Sequence, residues 1–310
     1  MRVVVAGGAG FLGSHLCDAL LSRGDEVIAL DNLCTGSMRN LIAAGAHDTF
    51  SFIECDVSDD VPDMGAVDAV MHLASPASPP MYLAMPLQTL AVGSEGTRRL
   101  LEIAGANVAR FVLASTSEVY GDPLEHPQRE EYWGNVNPIG PRSVYDESKR
   151  FAEALTFAHH RALGASIGVA RIFNTYGPRL SPGDGRVVST FIAQALRGDS
   201  LTVFGDGSQT RSFCYVSDLV AGLIALLDAD VTGPVNLGNT LEFTMLEVAH
   251  RVLTATGSSS PIIHEALPAD DPTRRRPDIA RAAALLGWAP VVSFETGLAR
   301  TIEHFQAIAA

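Results

Sequence analysis

Residues able to move a proton lie at the end of one apolar run and at the head of the helical pattern that follows it. The run at 111–115 leads into the hydroxyl groups of Thr116 and Ser117. Tyr145 and Lys149 are four residues apart, so a helix would place both on one face. A phenol titrates near ~10 in water, and a neighbouring ammonium group favours its charged form. Tyr145 is therefore a candidate base for a substrate alcohol, with Thr116 or Ser117 hydrogen-bonding the same oxygen.

A tyrosine–lysine pair at this spacing is common on ordinary helices, and the N-terminus supplies a second signal. A short β-branched run at 2–6 is followed by Gly7, Gly10 and Gly13, which open a helical pattern. Glycines there allow a sharp turn and the close approach of a pyrophosphate to free N–H groups at the helix N-terminus. The next strand ends at Asp31, whose carboxylate can accept from both ribose hydroxyls and would repel a 2′-phosphate. The pattern therefore favours NAD over NADP.

Strands alternate with helices through the first half of the chain. The alternation predicts an α/β fold with a Rossmann-type, doubly wound parallel sheet and a site at the carboxyl ends of its strands. Asp56 follows the third strand and could meet an adenine or simply close a turn, and His72 is expected to be a packed core residue. The predicted strands lie at 51–55, 67–74, 111–115 and 166–172, and the predicted helices at 86–106 and 143–163.

The alternation breaks down after residue 172, where loops, short strands and smaller helices follow. We expect a smaller, interleaved C-terminal substrate domain, with the substrate cleft between the two domains. The predicted NAD-binding domain covers 1–173 with a return segment at about 213–238, and the substrate domain covers mainly 174–212 and 239–310.

Composition excludes several classes of partner. The chain has 310 residues, 47% of them hydrophobic, and a net charge of −13, which argues against nucleic-acid or anionic-membrane binding. It has no apolar run long enough to suggest a membrane span. Its cysteines are too far apart for a disulfide framework or a metal site: Cys17, Cys34, Cys55 and Cys214. We expect a cytoplasmic protein without a metal.

Longer motifs carry a resemblance over nearly the whole chain. The chain resembles the extended short-chain dehydrogenase/reductases of the NAD-dependent epimerase/dehydratase family, which act on nucleotide sugars. Within that family it is most similar to the group that decarboxylates UDP-glucuronate. The motifs are GGAGFLG at 7–13, HLASPASPP at 72–80, STSEVYGDP at 115–123, VNPIGPR at 136–142, RIFNTYGPR at 171–179, DGRVVS at 184–189, SQTRSFCYVSDLV at 208–220 and RRRPDI at 274–279.

The resemblance implies a reaction in which NAD is recycled. C4 of UDP-glucuronate is oxidised, the β-keto acid loses carbon dioxide, C5 is protonated and C4 is reduced again to give UDP-xylose. Thr116, Glu118, Tyr145 and Lys149 would be catalytic. Glu118 favours decarboxylation, because relatives that only epimerise usually have a small or hydroxyl residue there.

Other outcomes remain open on the same residues. They are a UDP-glucuronate 4-epimerase, another nucleotide-sugar epimerase or dehydratase, and a non-catalytic NAD or nucleotide-sugar sensor. The intact set of Thr116, Tyr145 and Lys149 argues against the sensor, since a binding protein needs no base.

The resemblance also implies binding residues and an assembly. A homodimer is expected to pair through the helices near 86–106 and 143–163. The implied cofactor residues are Gly7, Gly10, Phe11, Leu12, Gly13, Asp31, Asn32, Asp56, Val57, Leu73, Ala74, Tyr145 and Lys149. The implied UDP-sugar residues are Pro79, Tyr82, Ser117, Glu118, Asn174, Arg186, Val187, Thr202, Phe204, Gln209, Arg211 and Arg275.

Two positions depart from the family pattern. Gly93 stands where the family often has an asparagine that supports the cofactor side, and Ser148 replaces a common glycine. The first departure puts the local hydrogen bonding at position 93 in doubt, whereas the catalytic set is untouched.

Overall fold

The computed structural model describes residues 1–268, 272 and 274–309. In that part of the chain the strands are β1 Arg2–Ala6, β2 Glu26–Asp31, β3 Phe50–Glu54, β4 Ala69–His72, β5 Arg110–Thr116, β6 Ile167–Ile172, β7 Thr175–Tyr176, β8 Leu201–Phe204, β9 Thr210–Ser212, β10 Cys214–Tyr215, β11 Val235–Leu237, β12 Glu242–Thr244, β13 Ile262–Glu265 and β14 Arg274–Arg275. The α-helices are α1 Phe11–Ser22, α2 Pro79–Ala84, α3 Pro86–Ala91, α4 Thr97–Ala106, α5 Ser143–Leu163, α6 Val187–Arg197, α7 Val216–Asp228, α8 Met245–Thr256, α9 Ala280–Leu286 and α10 Phe294–Ala309.

Seven parallel strands form the main sheet, in the order β11-β6-β5-β4-β1-β2-β3. The chain adds β2 and β3 on one side of β1 and then β4, β5 and β6 on the other. The order therefore reverses between β1 and β4, where a crevice forms at the carboxyl ends of the strands. The predicted Rossmann-type doubly wound sheet is confirmed.

Side chains of the first strand show how the sheet is buried on both faces. Val3 and Val5 belong to one core, which includes residues of α1 and α7. Val4 and Ala6 belong to a second core, which includes residues of α4 and α5. Successive strand residues point to opposite faces, so an uninterrupted apolar strand needs helices on both sides.

Residues after β6 form three small sheets and return once to the main sheet. The small sheets pair β7 with β10, β8 with β13, and β9 with both β12 and β14. Only β11 of this later part joins the seven-stranded sheet in the described chain. The division into a domain of 1–173 with a return at about 213–238, and a second of 174–212 and 239–310, stays a prediction.

The helix predicted over 86–106 is interrupted. A π-helical turn, Val92–Gly96, separates α3 from α4. Within this turn a Cβ on Gly93 would lie 2.7 Å from the Cβ of Ser148, and one on Gly96 would lie 3.1 Å from a methyl group of Val57. The two departures from the family pattern, Gly93 and Ser148, are thus direct neighbours in space. Helical periodicity alone gives no sign of such a contact.

No helix in the described ranges is both long enough and apolar enough to cross a membrane.

Asn236 on the edge strand β11 joins three segments through a fully buried side chain. Its Nδ2 donates to Gln128 O at 3.0 Å and to Asp278 O at 3.1 Å, and its Oδ1 accepts from the Tyr120 hydroxyl at 2.8 Å. We expect Asn236→Ala to lower the free energy of unfolding by about 3 kcal/mol, because each buried polar group left without a partner costs ~1 kcal/mol or more.

Urea denaturation of the variant measures that loss, and Gln306→Ala on the exposed face of α10 serves as the control. A loss below about 1 kcal/mol for Asn236→Ala would show that water replaces these bonds at no cost.

Candidate active site

A cleft of about 1020 Å³ opens along the carboxyl edge of the main sheet. Its walls come from the segments that follow β1, β4, β5 and β6, and from the smaller sheets. The four predicted catalytic residues line it: Thr116, Glu118, Tyr145 and Lys149. The predicted UDP-sugar residues line it as well: Pro79, Tyr82, Ser117, Glu118, Asn174, Arg186, Val187, Thr202, Phe204, Gln209, Arg211 and Arg275. The fold therefore gathers residues up to 196 positions apart in the sequence, from Pro79 to Arg275, in one place.

The N-terminus of α1 forms one end of the cleft. Gly10 caps this helix without a side-chain hydrogen bond, and no acidic residue lies in the first turn. A Cβ on Gly13 would lie 2.0 Å from the carbonyl oxygen of Gly7, so only glycine fits at position 13. Free N–H groups, a positive helix end and a close backbone suit a pyrophosphate. Together with Phe11, Leu12 and Leu73, which also line the cleft, this cradle fits NAD.

Two predicted cofactor residues, Val57 and Ala74, are not on the cleft wall. Val57 is 3% exposed and packs against Gly96 of the π-helical turn. The backbone of Ala74 lies directly behind Gly7, where a Cβ would approach it to 2.7 Å. Both residues support the cradle from behind. A direct contact with NAD stays a prediction for them.

Three further predicted cofactor residues, Asp31, Asn32 and Asp56, also lie beyond the cleft wall. Asp31 accepts from the backbone N–H groups of Ala9 at 3.0 Å and Leu33 at 2.8 Å. Asn32 Nδ2 donates to Asp56 at 2.7 Å. Asp31 therefore fixes the glycine turn, and a carboxylate still has lone pairs for a ribose hydroxyl.

Tyr145 is 6% exposed, and its ring stacks on that of Tyr82, with centroids 5.1 Å apart and planes 5° apart. Burial raises the pKa of Tyr145 well above its usual value, and the charge of Glu118 raises it further. A hydrogen bond with Thr116 opposes this rise. Lys149 was expected to lower the pKa of Tyr145, but its Nζ lies 5.9 Å from the ring centroid and does not offset the burial. The protein alone therefore keeps Tyr145 protonated at neutral pH.

Lys149 is 4% exposed, and its Nζ donates to Ala114 O at 2.9 Å. Burial lowers the pKa of Lys149 to about 8, against the charge of Glu153, which raises it. Lys149 is also the only lysine of the chain, since all its other residues of the lysine–arginine class are arginines. That count singles out Lys149 without any motif.

Glu118 is held between two arginines. Its carboxylate accepts from Arg142 Nη2 at 2.7 Å, and from Arg275 through both oxygens, one of these bonds measuring 3.1 Å. Burial by itself would raise the pKa of Glu118, but the charges and hydrogen bonds of Arg275 and Arg142 outweigh it and lower the pKa to about 2. Glu118 is therefore an ionised, oriented group and not a solvated loop residue.

Two residues next to this ion pair were not predicted. Arg142 precedes α5, contacts Glu118 and lines the cleft. Asp146 is 5% exposed, and burial, followed by the charge of Glu118, raises its pKa to about 7. Arg142 ends the motif at 136–142 and Asp146 directly follows Tyr145, but neither position was given a role.

The other end of the cleft carries polar atoms that lack partners. Among the described side chains, Asn174 Nδ2 and Gln209 Oε1 are buried without a hydrogen bond, as is Tyr82 Oη beside Tyr145. All three residues line the cleft. Buried polar atoms are rarely left unpaired in folded proteins, so these atoms are candidates to contact a polar ligand.

Arginines at this end are already oriented. Arg186 caps α6 and forms two bonds with Asp184, one of 2.8 Å. Arg211 is 8% exposed and donates to Thr210 O at 2.9 Å and to Pro272 O at 2.5 Å. A guanidinium held in this way can bond a phosphate through two parallel hydrogen bonds.

The sequence and fold of this chain are similar to those of known proteins. The model of the NAD dependent epimerase/dehydratase family matches residues 3–238. UDP-glucuronic acid decarboxylase 1 of Arabidopsis thaliana is 53% identical over 306 residues, which are 99% of this chain and 70% of that protein. UDP-glucose 4-epimerase of Thermotoga maritima, solved with UDP-glucose, has a TM-score of 0.91 at 29% identity and full coverage of both chains. UDP-glucuronic acid 4-epimerase of Bacillus cereus, solved with UDP-glucuronic acid and NAD, has a TM-score of 0.89 at 28% identity, covering 99% of this chain and 100% of that one.

The chain belongs to the NAD-dependent epimerase/dehydratase family. NAD is accordingly its cofactor, and the glycine cradle at the start of α1 is built for it.

Because Lys149 is the only lysine, a protein grown with ¹³C-labelled lysine gives one side-chain NMR signal. We expect this signal to titrate near pH 8 and not near the 10.5 of a free lysine. Folding thus lowers this pKa, so between these values the unfolded chain binds more protons, and Lys149 makes the fold more stable as the pH rises.

Replacing Glu153 by glutamine removes the charge that supports the ammonium, so the midpoint should fall further in Glu153→Gln. A wild-type midpoint close to 10.5 would contradict the burial of Lys149.

Proposed function

We propose that the protein converts UDP-glucuronate to UDP-xylose and carbon dioxide. The observation that carries this function is the carboxylate of Glu118, held in the cleft by Arg142 and Arg275 beside Thr116 and Tyr145. The similarity to UDP-glucuronic acid decarboxylases over 99% of the chain supports the same substrate and outcome.

When bound, NAD would supply the oxidation of C4, the later reduction of the same carbon and, in its oxidised form, a positive charge near Tyr145. The glycine cradle at positions 7, 10 and 13 would hold its pyrophosphate, and Tyr145 and Lys149 its nicotinamide ribose. Because the same carbon is oxidised and then reduced, the reaction needs no second redox partner.

Tyr145 moves the proton of the C4 hydroxyl. Its raised pKa means that it becomes a base only when positive charge is brought to its ring. Thr116 lowers the pKa of Tyr145 through a side-chain hydrogen bond, so its hydroxyl is assigned to the same alcohol oxygen as the phenol. Stacking on Tyr82 prevents the phenol ring from turning away.

Glu118 acts after the oxidation. The C4 ketone takes up the electron pair that remains when carbon dioxide leaves C6, and C5 then needs a proton. With a pKa of about 2, Glu118 is a poor proton donor but a well-oriented acceptor. We assign to it the orientation of a water molecule that gives a proton to C5, and the hydroxide left behind takes a proton from bulk solvent. Arg142 and Arg275 keep the carboxylate in place throughout.

The UDP portion is assigned to the far end of the cleft. Arg186 and Arg211 suit its two phosphates, and Asn174 and Gln209 bring buried, unpaired polar atoms. This remote binding holds C4 against Tyr145 while the sugar changes.

Incubation of the purified protein with UDP-glucuronate, with carbon dioxide and the sugar products followed, tests the function. Formation of UDP-xylose with carbon dioxide supports the proposal. UDP-galacturonate without carbon dioxide would instead establish a 4-epimerase, and ligand binding without turnover would establish a sensor.

We expect Glu118→Ala to slow carbon dioxide release by about 100-fold, while the first oxidation slows by less than about tenfold. The reason is that Glu118 serves C5 and not C4. Absorbance of the reduced cofactor reports the oxidation in a single turnover, and trapped carbon dioxide reports the second step.

Glu147→Ala is the matched control, because Glu147 lies on the same helix as Tyr145 but pairs outside the cleft with Arg150. Equal loss of both steps in Glu118→Ala, with an unchanged melting curve, would rule out the role assigned to Glu118.

We also infer a homodimer that pairs through α3 and α5. Leu87 and Leu90 on α3 are 75% and 39% exposed, Leu83 on α2 is 48% exposed, and Phe151 on α5 is 51% exposed. An apolar group of this kind on neighbouring helices suits a self-complementary contact between two copies. A cytoplasmic location is inferred from the four free thiols, which suit a reducing compartment.

A charge at the centre of this patch should separate the two copies. We expect Leu87→Glu to reduce the sedimentation coefficient from that of a dimer to that of a monomer, because a buried carboxylate without a partner is costly. Val291→Glu is the control, since Val291 is 86% exposed outside the patch. Identical sedimentation of Leu87→Glu and wild type would place the contact elsewhere.

A further inference from the structure

The turn of α5 that carries Tyr145 and Lys149 rests directly on the π-helical turn Val92–Gly96. Gly93 and Ser148 are both buried and face each other across this contact. A Cβ on Gly93 would lie 2.7 Å from Ser148 Cβ, 2.9 Å from its carbonyl oxygen and 3.1 Å from its carbonyl carbon. These atoms belong to the α5 backbone or are attached to it, so they cannot swing aside.

Ser148 also forms a hydrogen bond within the same turn of α5. Its hydroxyl donates to Tyr145 O at 2.8 Å, and its position in the chain is next to Lys149. Both functional side chains of this turn of α5 are anchored to β5. Tyr145 has a hydrogen bond with Thr116, and Lys149 Nζ donates to Ala114 O at 2.9 Å. A shift of α5 would disturb both anchors together.

The π-helical turn is held on its other side as well. A Cβ on Gly96 would lie 3.1 Å from a methyl group of the buried Val57, and Thr97 bonds His72 of β4 at 3.1 Å. The turn therefore cannot move away from α5 if position 93 is filled. Isolated π-helical turns inside α-helices occur frequently at functional sites.

We infer that Gly93 and Ser148 are a matched pair of positioning residues, which set the distance of the Tyr145–Lys149 turn from Thr116 and Ala114. Neither residue lines the cleft among the described residues, so both act through α5. Any side chain at position 93 pushes α5 away from β5. The inference rests on the proposed function only for its kinetic readout.

The single lysine provides a readout that needs no substrate. In Gly93→Ala the titration midpoint of Lys149 should rise by about half a pH unit or more, because loosened packing lets water reach the ammonium group. The charged or titratable groups known to act on Lys149 or to be acted on by it, Glu153 and His72, are unchanged in this variant. The shift therefore reports a change of position.

Kinetics supply the second readout. Gly93→Ala should lower kcat by about 30-fold with KM changed less than about threefold, since small misplacements of a catalytic group cost up to ~100-fold. In Gly93→Ala/Ser148→Gly the 2.7 Å contact disappears and only the contact with the backbone remains. We expect kcat of this double variant to be about fivefold higher than that of Gly93→Ala.

Gly105→Ala is the matched control. Gly105 lies in α4, and a Cβ there meets no atom within 4 Å. This variant should keep the wild-type midpoint and kcat.

Several results would overturn the inference. One is a Gly93→Ala variant with a wild-type titration midpoint of Lys149 and a wild-type kcat. Another is a double variant whose fold loss in kcat equals the product of the losses in Gly93→Ala and Ser148→Gly. If Gly93→Ala does not fold, Ser148→Thr adds bulk to the same contact from the other helix, and Ser148→Ala keeps the Cβ. An unchanged titration midpoint of Lys149 in Ser148→Thr would then contradict the inference. A midpoint raised in Ser148→Thr but not in Ser148→Ala would support it.

Failure of the proposed function gives a different pattern. A wild-type protein that does not turn over UDP-glucuronate contradicts the decarboxylase, and the lysine midpoints then decide on Gly93 and Ser148 by themselves.

Discussion

One carboxylate between two guanidinium groups joins the two halves of the chain. Glu118 follows β5 of the main sheet, Arg142 precedes α5, and Arg275 lies on β14 of a small sheet. Removing one partner of such a cluster is costly, because it leaves the remaining charges without their counter-charge. The cleft exists in this form because the cluster keeps β14 against the carboxyl edge of the main sheet. Binding of substrate and stability of the fold thus depend on the same charges.

The pKa values of the three ionisable groups at the centre of the cleft are shifted in different directions. Burial raises the pKa of Tyr145 and lowers that of Lys149 to about 8, while the arginines reverse the effect of burial on Glu118. One site thus holds a tyrosine with a raised pKa, a lysine with a lowered pKa and a carboxylate that stays charged. Such divergence is typical of sites that perform acid–base chemistry.

The sequence predicted those features that local patterns encode. The bounds of α5 agree with the prediction, because amphipathic periodicity and a following glycine mark helices well. The glycine cradle and the hydroxyls after β5 were found because they follow buried strands. Arg142 and Asp146 were missed, since their importance comes from Glu118, 24 or more residues away. The π-helical turn at Val92–Gly96 was missed because helical periodicity does not distinguish a π-helical turn from an α-helix, and its neighbour Ser148 belongs to another helix.

A chain whose only lysine lies inside its cleft has an unusual surface. The other basic side chains are arginines and histidines, so the exterior offers no side-chain amine to acylating reagents or to lysine-modifying enzymes. The α-amino group of Met1 is paired with Asp25 at 2.8 Å. Reagents that select amines would therefore read out whether the cleft is occupied, since a bound dinucleotide would stand between them and Lys149.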